Sequence, residues 1–241
     1  MIPLSDMPFR LKPMDLSRYE SEQKILVSVD CIIFGFDGGQ LKALLIRRGF
    51  DPEKSGWSVM GGFIRSEETA DEAAKRVLQG LTGMSNVYLE QLYTFSDLNR
   101  DSGARVISIT YFALIHITDY GEQLQLEHEA KWFSVNDLPP LIFDHKDMVL
   151  KAHARLRERA GTHALGFELL PQKFTLSQLK CLYEAIYGTP LDRRNFTKKM
   201  RSLGILKKLD EKETASSRKG AFYYVFNRPK YGSFQTGRFK T

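Results

Sequence analysis

Cysteine is scarce in this chain. Two thiols in 241 residues, Cys31 and Cys181, stand far apart. That excludes a disulfide-stapled scaffold and any zinc-ribbon or CxxC redox spacing, and both are expected to be reduced core residues. Long apolar runs are lacking too. The longest, Ile107 to Ile117, contains Ser108, Thr110 and His116. It is too short for a bilayer and reads as a buried strand. Met1 to Tyr19 carries Asp6, Arg10, Lys12, Asp15 and Arg18 without the apolar centre of a secretory signal, so a cytoplasmic protein with no membrane partner is expected. Internal repeats and low-complexity tracts are missing as well. What is present is globular: 42% hydrophobic and 27% charged residues, enough chain for one large or two ordinary domains. The charge is uneven. Residues 1–165 hold 19 Lys/Arg against 23 Asp/Glu, a net −4, and residues 166–241 hold 16 against 6, a net +10. A basic last third points to a nucleic-acid partner.

A more local absence carries chemical meaning. Gly62, Glu68, Arg76, Leu78, Gly83 and Met84 are spaced as in the pattern Gx5Ex7REUxEExGU, with U apolar, and so resemble the Nudix box. Where that family places the glutamates that bind Mg2+ and clamp a diphosphate, this chain has Val77, Gly80 and Leu81. None offers an oxygen to a hard cation. The segments Trp57-Ser58-Val59-Met60-Gly61-Gly62-Phe63 and Glu129-Ala130-Lys131-Trp132-Phe133 extend the resemblance over roughly residues 22–160. It implies an α/β/α sandwich that has kept its scaffold and lost its catalytic carboxylates. The expectation is no enzyme, no metal site and no cofactor.

Local patterns agree with that fold. Ile25 to Phe36 is β-forming and ends at Asp37-Gly38-Gly39, a hairpin signal, with Gln40 to Arg47 returning. Gly61-Gly62 marks a close turn of backbone within Trp57 to Ile64. Thr69-Ala70-Asp71-Glu72 is a capping box, opening a helix that Gly83 ends. Strands are expected at 87–95, 106–117 and 130–134, then a helix from His145 to Ala160 that Gly161 stops. Asp30, Arg47, Trp57 and Tyr111 lie on strands bordering the Nudix cleft, and their mix of aromatic faces and planar polar groups suits a small polyol or sugar effector.

The remainder reads as a winged helix-turn-helix, giving an effector domain at 1–161 and a DNA-binding domain at 162–241. Thr175-Leu176-Ser177-Gln178 is a second capping box, Gly188-Thr189-Pro190 a turn, and Asp192 the cap of a helix from Arg193 to Leu203. Strands at 205–209 and 221–226 would flank a charged loop, the wing. In the second helix Phe196, Met200 and Leu203 share one face, leaving Arg194, Lys198 and Arg201 outward beside Arg193, Asn195 and Thr197. Arginine and asparagine read guanine and adenine edges, while lysine and threonine suit phosphates. Lys208, with Arg218 and Lys219 of the wing, completes the expected contact set.

A degenerate Nudix domain ahead of a winged helix resembles the Nudix-related transcriptional regulators. The resemblance implies a homodimeric repressor of double-stranded operator DNA, controlled by a small-molecule effector. One branch of those regulators responds to ADP-ribose-type effectors, another to sugars such as L-arabinose. The missing glutamates favour the sugar branch here. Two other classes compete: a Nudix hydrolase using Glu67, Glu68, Glu127 or Glu129, and an RNA-binding adaptor.

Overall fold

The β-branched run after Lys24 becomes the axis of the sheet. A computed structural model describes residues 17–83, 87–117, 129–162, 169–214 and 220–227. After a short helix α1 (Ser17–Ser21), strand β1 (Leu26–Phe36) pairs in parallel with β6 (Val106–His116) over eleven residues, Leu26 opposite Val106 through Phe36 opposite His116. Its other edge is shared. The second half meets β2 (Leu41–Arg47) and the first half meets β4 (Met60–Phe63), both antiparallel. β3 (Trp57–Ser58) and β7 (Lys131–Ser134) pair with β2, and β5 (Glu90–Phe95) pairs with β6, completing a seven-stranded mixed sheet. The Asp37 hairpin forms as read: Asp37 Oδ1 accepts from the Gly39 and Gln40 backbone N–H groups, and Gly38 takes φ +97°.

Side chains alternate across that sheet. Val29, Cys31, Ile33, Tyr111, Ala113 and Ile115 join a cluster with α2 (Ala70–Thr82). Ile32, Phe34, Phe36 and Phe112 join another with α3 (His145–Thr162). α2 starts and stops where its sequence says. Thr69 Oγ1 accepts from the Glu72 N–H, Glu72 accepts from the Thr69 N–H, and Gly83 sits at φ +70° with its N–H on the Gln79 carbonyl. Such a cap is worth about 1 kcal/mol. Among the described residues no helix is long and apolar enough to cross a membrane.

The winged helix follows: β8 (Phe174–Thr175), α4 (Leu176–Tyr187), α5 (Arg193–Ser202), β9 (Leu206–Glu213) and β10 (Ala221–Phe226), with sheet order β8-β10-β9. Both helix starts are capped by the residues expected, Thr175 with Gln178 and Asp192 with Asn195. Three readings change. Gly161 does not stop α3, which continues to Thr162, because a single glycine weakens a helix by less than tertiary packing supports it. β9 runs on through Asp210–Glu213, a stretch of charges held as strand by pairing of Glu213 with Ala221. β8 is a two-residue strand with no periodicity to reveal it. The two parts pack against each other: one apolar cluster runs from Phe34 and Phe112 through Ala152 and Leu156 to Leu182, Ile186, Phe196 and Tyr224.

Two glycines near the box test the packing in opposite directions. A Cβ on Gly61 would sit 2.1 Å from Asp30 Oδ1 and 3.2 Å from the Val29 carbonyl, whereas one on Gly80 meets nothing within 4 Å. Gly61→Ala should destabilise by about 1–3 kcal/mol through overpacking. Gly80→Ala, mid-helix, should stabilise by about 0.5–1 kcal/mol. Urea unfolding midpoints of the two variants check both signs.

Candidate functional site

The box segment keeps its scaffold by other means than metal. Glu68 is fully engaged, accepting Arg76 Nε at 2.8 Å on one oxygen and Arg76 Nη2 with the Arg65 backbone N–H on the other. The arginine beside it holds its carboxyl well down, to about 2. Val77 is buried in the α2 cluster, and a Cβ on Gly62 would lie 2.9 Å from its Cγ2. Leu81 is half-buried in the same cluster, and Gly80 is exposed. The Mg2+ that the Nudix resemblance implies therefore finds no donor set: two of the three positions are apolar packing, and Glu68 is spent on Arg76. Among the described residues no three His, Cys, Asp or Glu side chains group to hold a metal. Of the carboxylates weighed for hydrolysis, Glu67 and Glu129 are exposed, and Glu127 and the box's Met84 lie outside the described residues.

The four effector candidates do not line one cavity. Tyr111 and Asp30 lie on opposite faces of the sheet, because odd and even positions of a strand point apart. Tyr111 is 2% exposed, turned to α2, and its hydroxyl donates to Asp71 Oδ1 at 2.6 Å. Asp30 is 5% exposed on the α3 side, where Oδ2 accepts from Ser108 Oγ at 2.6 Å. Neither offers a surface to a ligand. Arg47 and Trp57 do come together, opposite each other across β2 and β3. The guanidinium lies 4.0 Å over the indole, which meets Phe133 edge-on at 4.8 Å. Arg47 also donates to the Ser55 carbonyl and lies 3.7 Å from Glu129.

Beneath this pair sits a buried polar cluster that sequence reading missed apart from Asp30. Arg100 donates twice to Asp144, at 2.9 and 2.8 Å, and lies 3.8 Å from Asp30. His145 Nδ1 accepts from the Val59 N–H at 3.3 Å, lies 3.2 Å from Ser58 Oγ, and directs Nε2 toward Asp30 at 3.9 Å. Burial raises the Asp30 carboxyl to about 7, partly opposed by Ser108 and Arg100. Burial lowers the His145 imidazole to about 3, helped by Arg100 and Arg48. Asp30, Arg100 and the Asp144-His145 pair stand far apart in the chain, and the fold alone brings them together.

The DNA-facing candidates are laid out largely as the helical period dictates. Phe196 and Met200 are buried, and Arg193, Arg194, Asn195, Lys198 and Arg201 are exposed. Arg193, Arg194, Thr197, Lys198 and Arg201 line one open depression on the outer face of α5. Arg201 is tethered, donating to the Tyr224 hydroxyl of β10 at 3.3 Å. In the wing, Lys208 and Lys212 both lie over the Phe222 ring, at 3.4 and 4.8 Å. Lys212 was hidden in a stretch read as loop. Arg218 and Lys219 fall outside the described residues.

Comparison with known proteins is consistent along the chain. The NUDIX domain family matches residues 24–152, and the NrtR DNA-binding winged helix domain family matches residues 166–226. The ADPR responsive transcriptional repressor NtrR of Acinetobacter baylyi is 34% identical over 215 residues, covering 85% of this chain and 86% of that protein. The crystal structure of Shewanella oneidensis NrtR complexed with a 27mer DNA superposes with a TM-score of 0.76 at 27% identity, over 86% of this chain and 95% of that one. The NUDIX domain of the same Shewanella protein, complexed with ADP ribose, gives 0.52 at 29% identity, over 59% of this chain and 99% of that one. None of these relatives is described as sugar-responsive, so the arabinose reading gains no support.

The cluster around Asp30 has a pH signature. Asp30 titrates higher folded than unfolded, so the native state binds the extra proton between about 4 and 7, and stability from this group is lost as pH rises through that window. His145 titrates lower folded than unfolded, so its contribution is lost as pH falls from about 6.5 to 3. The two slopes oppose each other over most of their range. Asp30→Asn should leave the His145 slope unopposed and make stability climb more steeply from pH 4 to 6.5. Urea titrations across that range check it.

Proposed function

The chain belongs to the Nudix family and carries an NrtR-type DNA-binding winged helix domain, and on that premise we propose that it is a transcriptional repressor whose Nudix domain binds ADP-ribose as effector. The observation that carries this reading is a conjunction. A Nudix fold with its box scaffold intact and its metal carboxylates replaced shares one apolar core with a winged helix whose second helix exposes Arg193, Arg194 and Lys198. The choice of ADP-ribose over a sugar is supported by the Acinetobacter repressor, which matches this chain across both domains. Missing glutamates argue against hydrolysis, not against a diphosphate ligand, since arginine forks bind phosphate directly. Arg47 and Trp57 are the effector contacts we retain from the sequence.

On DNA, Arg194 and Asn195 read base edges, while Arg193, Thr197, Lys198 and Lys208 hold phosphates, joined by Arg218 and Lys219 of the wing. The protein acts as a homodimer on half-sites one helical turn apart, about 34–36 Å. ADP-ribose releases the operator by binding one arrangement of the two readers better than the other. It leaves the protein unhydrolysed.

Mobility shifts with a promoter fragment from the protein's own genomic neighbourhood test this reading. ADP-ribose should release the duplex and L-arabinose should not, and ADP-ribose incubated with protein and Mg2+ should be recovered intact. Failure to bind duplex under any condition would sink the repressor. Arg194→Ala should weaken binding to the cognate site by roughly 5- to 150-fold, a loss of about 1–3 kcal/mol, and affect random DNA far less. Equal losses on both would make Arg194 a phosphate contact.

A further inference from the structure

One end of the sheet gathers the segments that surround the box. By register, β4 ends at Phe63 beside Ser28 and β5 ends at Phe95 beside Ser108, near the starts of β1 and β6, while the end of β2 at Arg47 comes level with Asp30; Pro52 packs close to Gly103 and Arg48 lies over Phe143. The loops 48–56 and 96–105 and the entry to α3 therefore meet there. A diphosphate bound at that end needs positive charge, and the box supplies no metal to bring it. The arginines nearby are mostly committed. Arg76 is paired with Glu68 and Arg100 with Asp144. Arg105 donates to the Ser96 and Asp97 carbonyls, and Arg47, proposed to meet the effector through its stack on Trp57, already has Glu129 at 3.7 Å as a counter-charge. Arg65 is exposed.

Arg48 differs. It is half-buried, with its guanidinium 4.0 Å over the Phe50 ring and 5.2 Å over Phe143. Nε donates to the Phe50 carbonyl at 3.1 Å. Among the described residues it makes no ion pair, so both terminal nitrogens keep their donors. The segments that hold it are strained. Glu53 and Ser55 in its loop and Phe143 beneath it take φ of +64°, +67° and +48°. Left-handed backbone at non-glycine residues costs about 1–3 kcal/mol each and clusters at ligand clamps. Phe50, 57% exposed, is an aromatic side chain left in solvent at the same place.

We propose that this Nudix domain recognises its nucleotide effector without a divalent cation, and that the Arg48 fork, ordered between Phe50 and Phe143, supplies the charge that meets the diphosphate. The inference rests on the ADP-ribose reading above and names the group that takes the metal's place.

The test is calorimetric titration of the full chain with ADP-ribose, once in excess EDTA and once in Mg2+. Affinity should be the same in both. Arg48→Gln should weaken it by roughly 10- to 150-fold, the loss of a charge-assisted hydrogen bond worth about 1.5–3 kcal/mol, with circular dichroism and the unfolding midpoint showing an intact fold. Arg48→Lys, which keeps a point charge and loses the fork, should fall between. Binding lost in EDTA and restored by Mg2+ would overturn cation independence while leaving ADP-ribose as effector. No binding in either buffer would overturn the effector reading and this inference with it. Wild-type affinity in Arg48→Gln would remove Arg48 from the site.

Discussion

The parallel register between β1 and β6 is the constraint from which the rest of the molecule follows. Eleven consecutive pairs fix which residues of both strands face α2 and which face α3. Because strand side chains alternate, a slip of one residue would exchange the two faces completely. The register seats Cys31 and Tyr111 against α2 and places Asp30, Ser108 and Phe112 against α3. It also sets where the loops emerge, and so which arginines share an end of the sheet. A parallel pair needs a long crossover, and here that crossover contains the box helix itself.

The helix α3 lies between the Nudix fold and the winged helix. It begins at the Arg100–Asp144 pair and His145, below the candidate effector end. Further along, His153 lies 6.4 Å from the Phe34 ring while its Nε2 lies 2.9 Å from the Ile186 carbonyl of α4. Arg155 and Arg159 anchor the same helix to Glu90 of β5. One side of α3 thus rests on the sheet and another on the winged helix, within one apolar cluster. Close-packed interiors transmit displacement because they have few voids to absorb it. The start of α3 and its contact with α4 at Ile186 thus belong to one continuous packed element.

The support of the box helix does not depend on carboxylates at positions 77, 80 and 81. Arg76 and Glu68 still brace the loop, and Thr69, Glu72 and Gly83 still define the helix ends. The substitutions fall on side chains the support does not use. Val77 adds apolar contact at the sheet, and Gly80 leaves open space. Scaffold and chemistry are separable at the level of single positions.

Much of this was legible in the linear chain because the signals are local. Capping boxes at Thr69 and Thr175, the Asp192 cap, the Asp37 hairpin and the inward Phe196–Met200 face depend only on residues within a turn or two of each other. The box spacing and the charge division between the first and last parts are likewise properties of chain order. The candidate site was less legible. Asp30 and Tyr111 both suit a polar pocket by type, yet strand parity puts them on opposite faces. Arg48, adjacent to the arginine chosen from the sequence, stands out only when Phe50 and Phe143 close around it. The Arg100–Asp144–His145 group and the pairing of Lys212 with Phe222 need partners far away in the chain. The sequence by itself determined most of the elements and the capped helix starts, since these follow from neighbouring residues, and its resemblance to the Nudix box showed Val77, Gly80 and Leu81 where that family has glutamates. Only the tertiary structure decided which charges are neutralised, which are buried and which remain free to meet a ligand, because those depend on partners that the fold alone brings within a few ångströms.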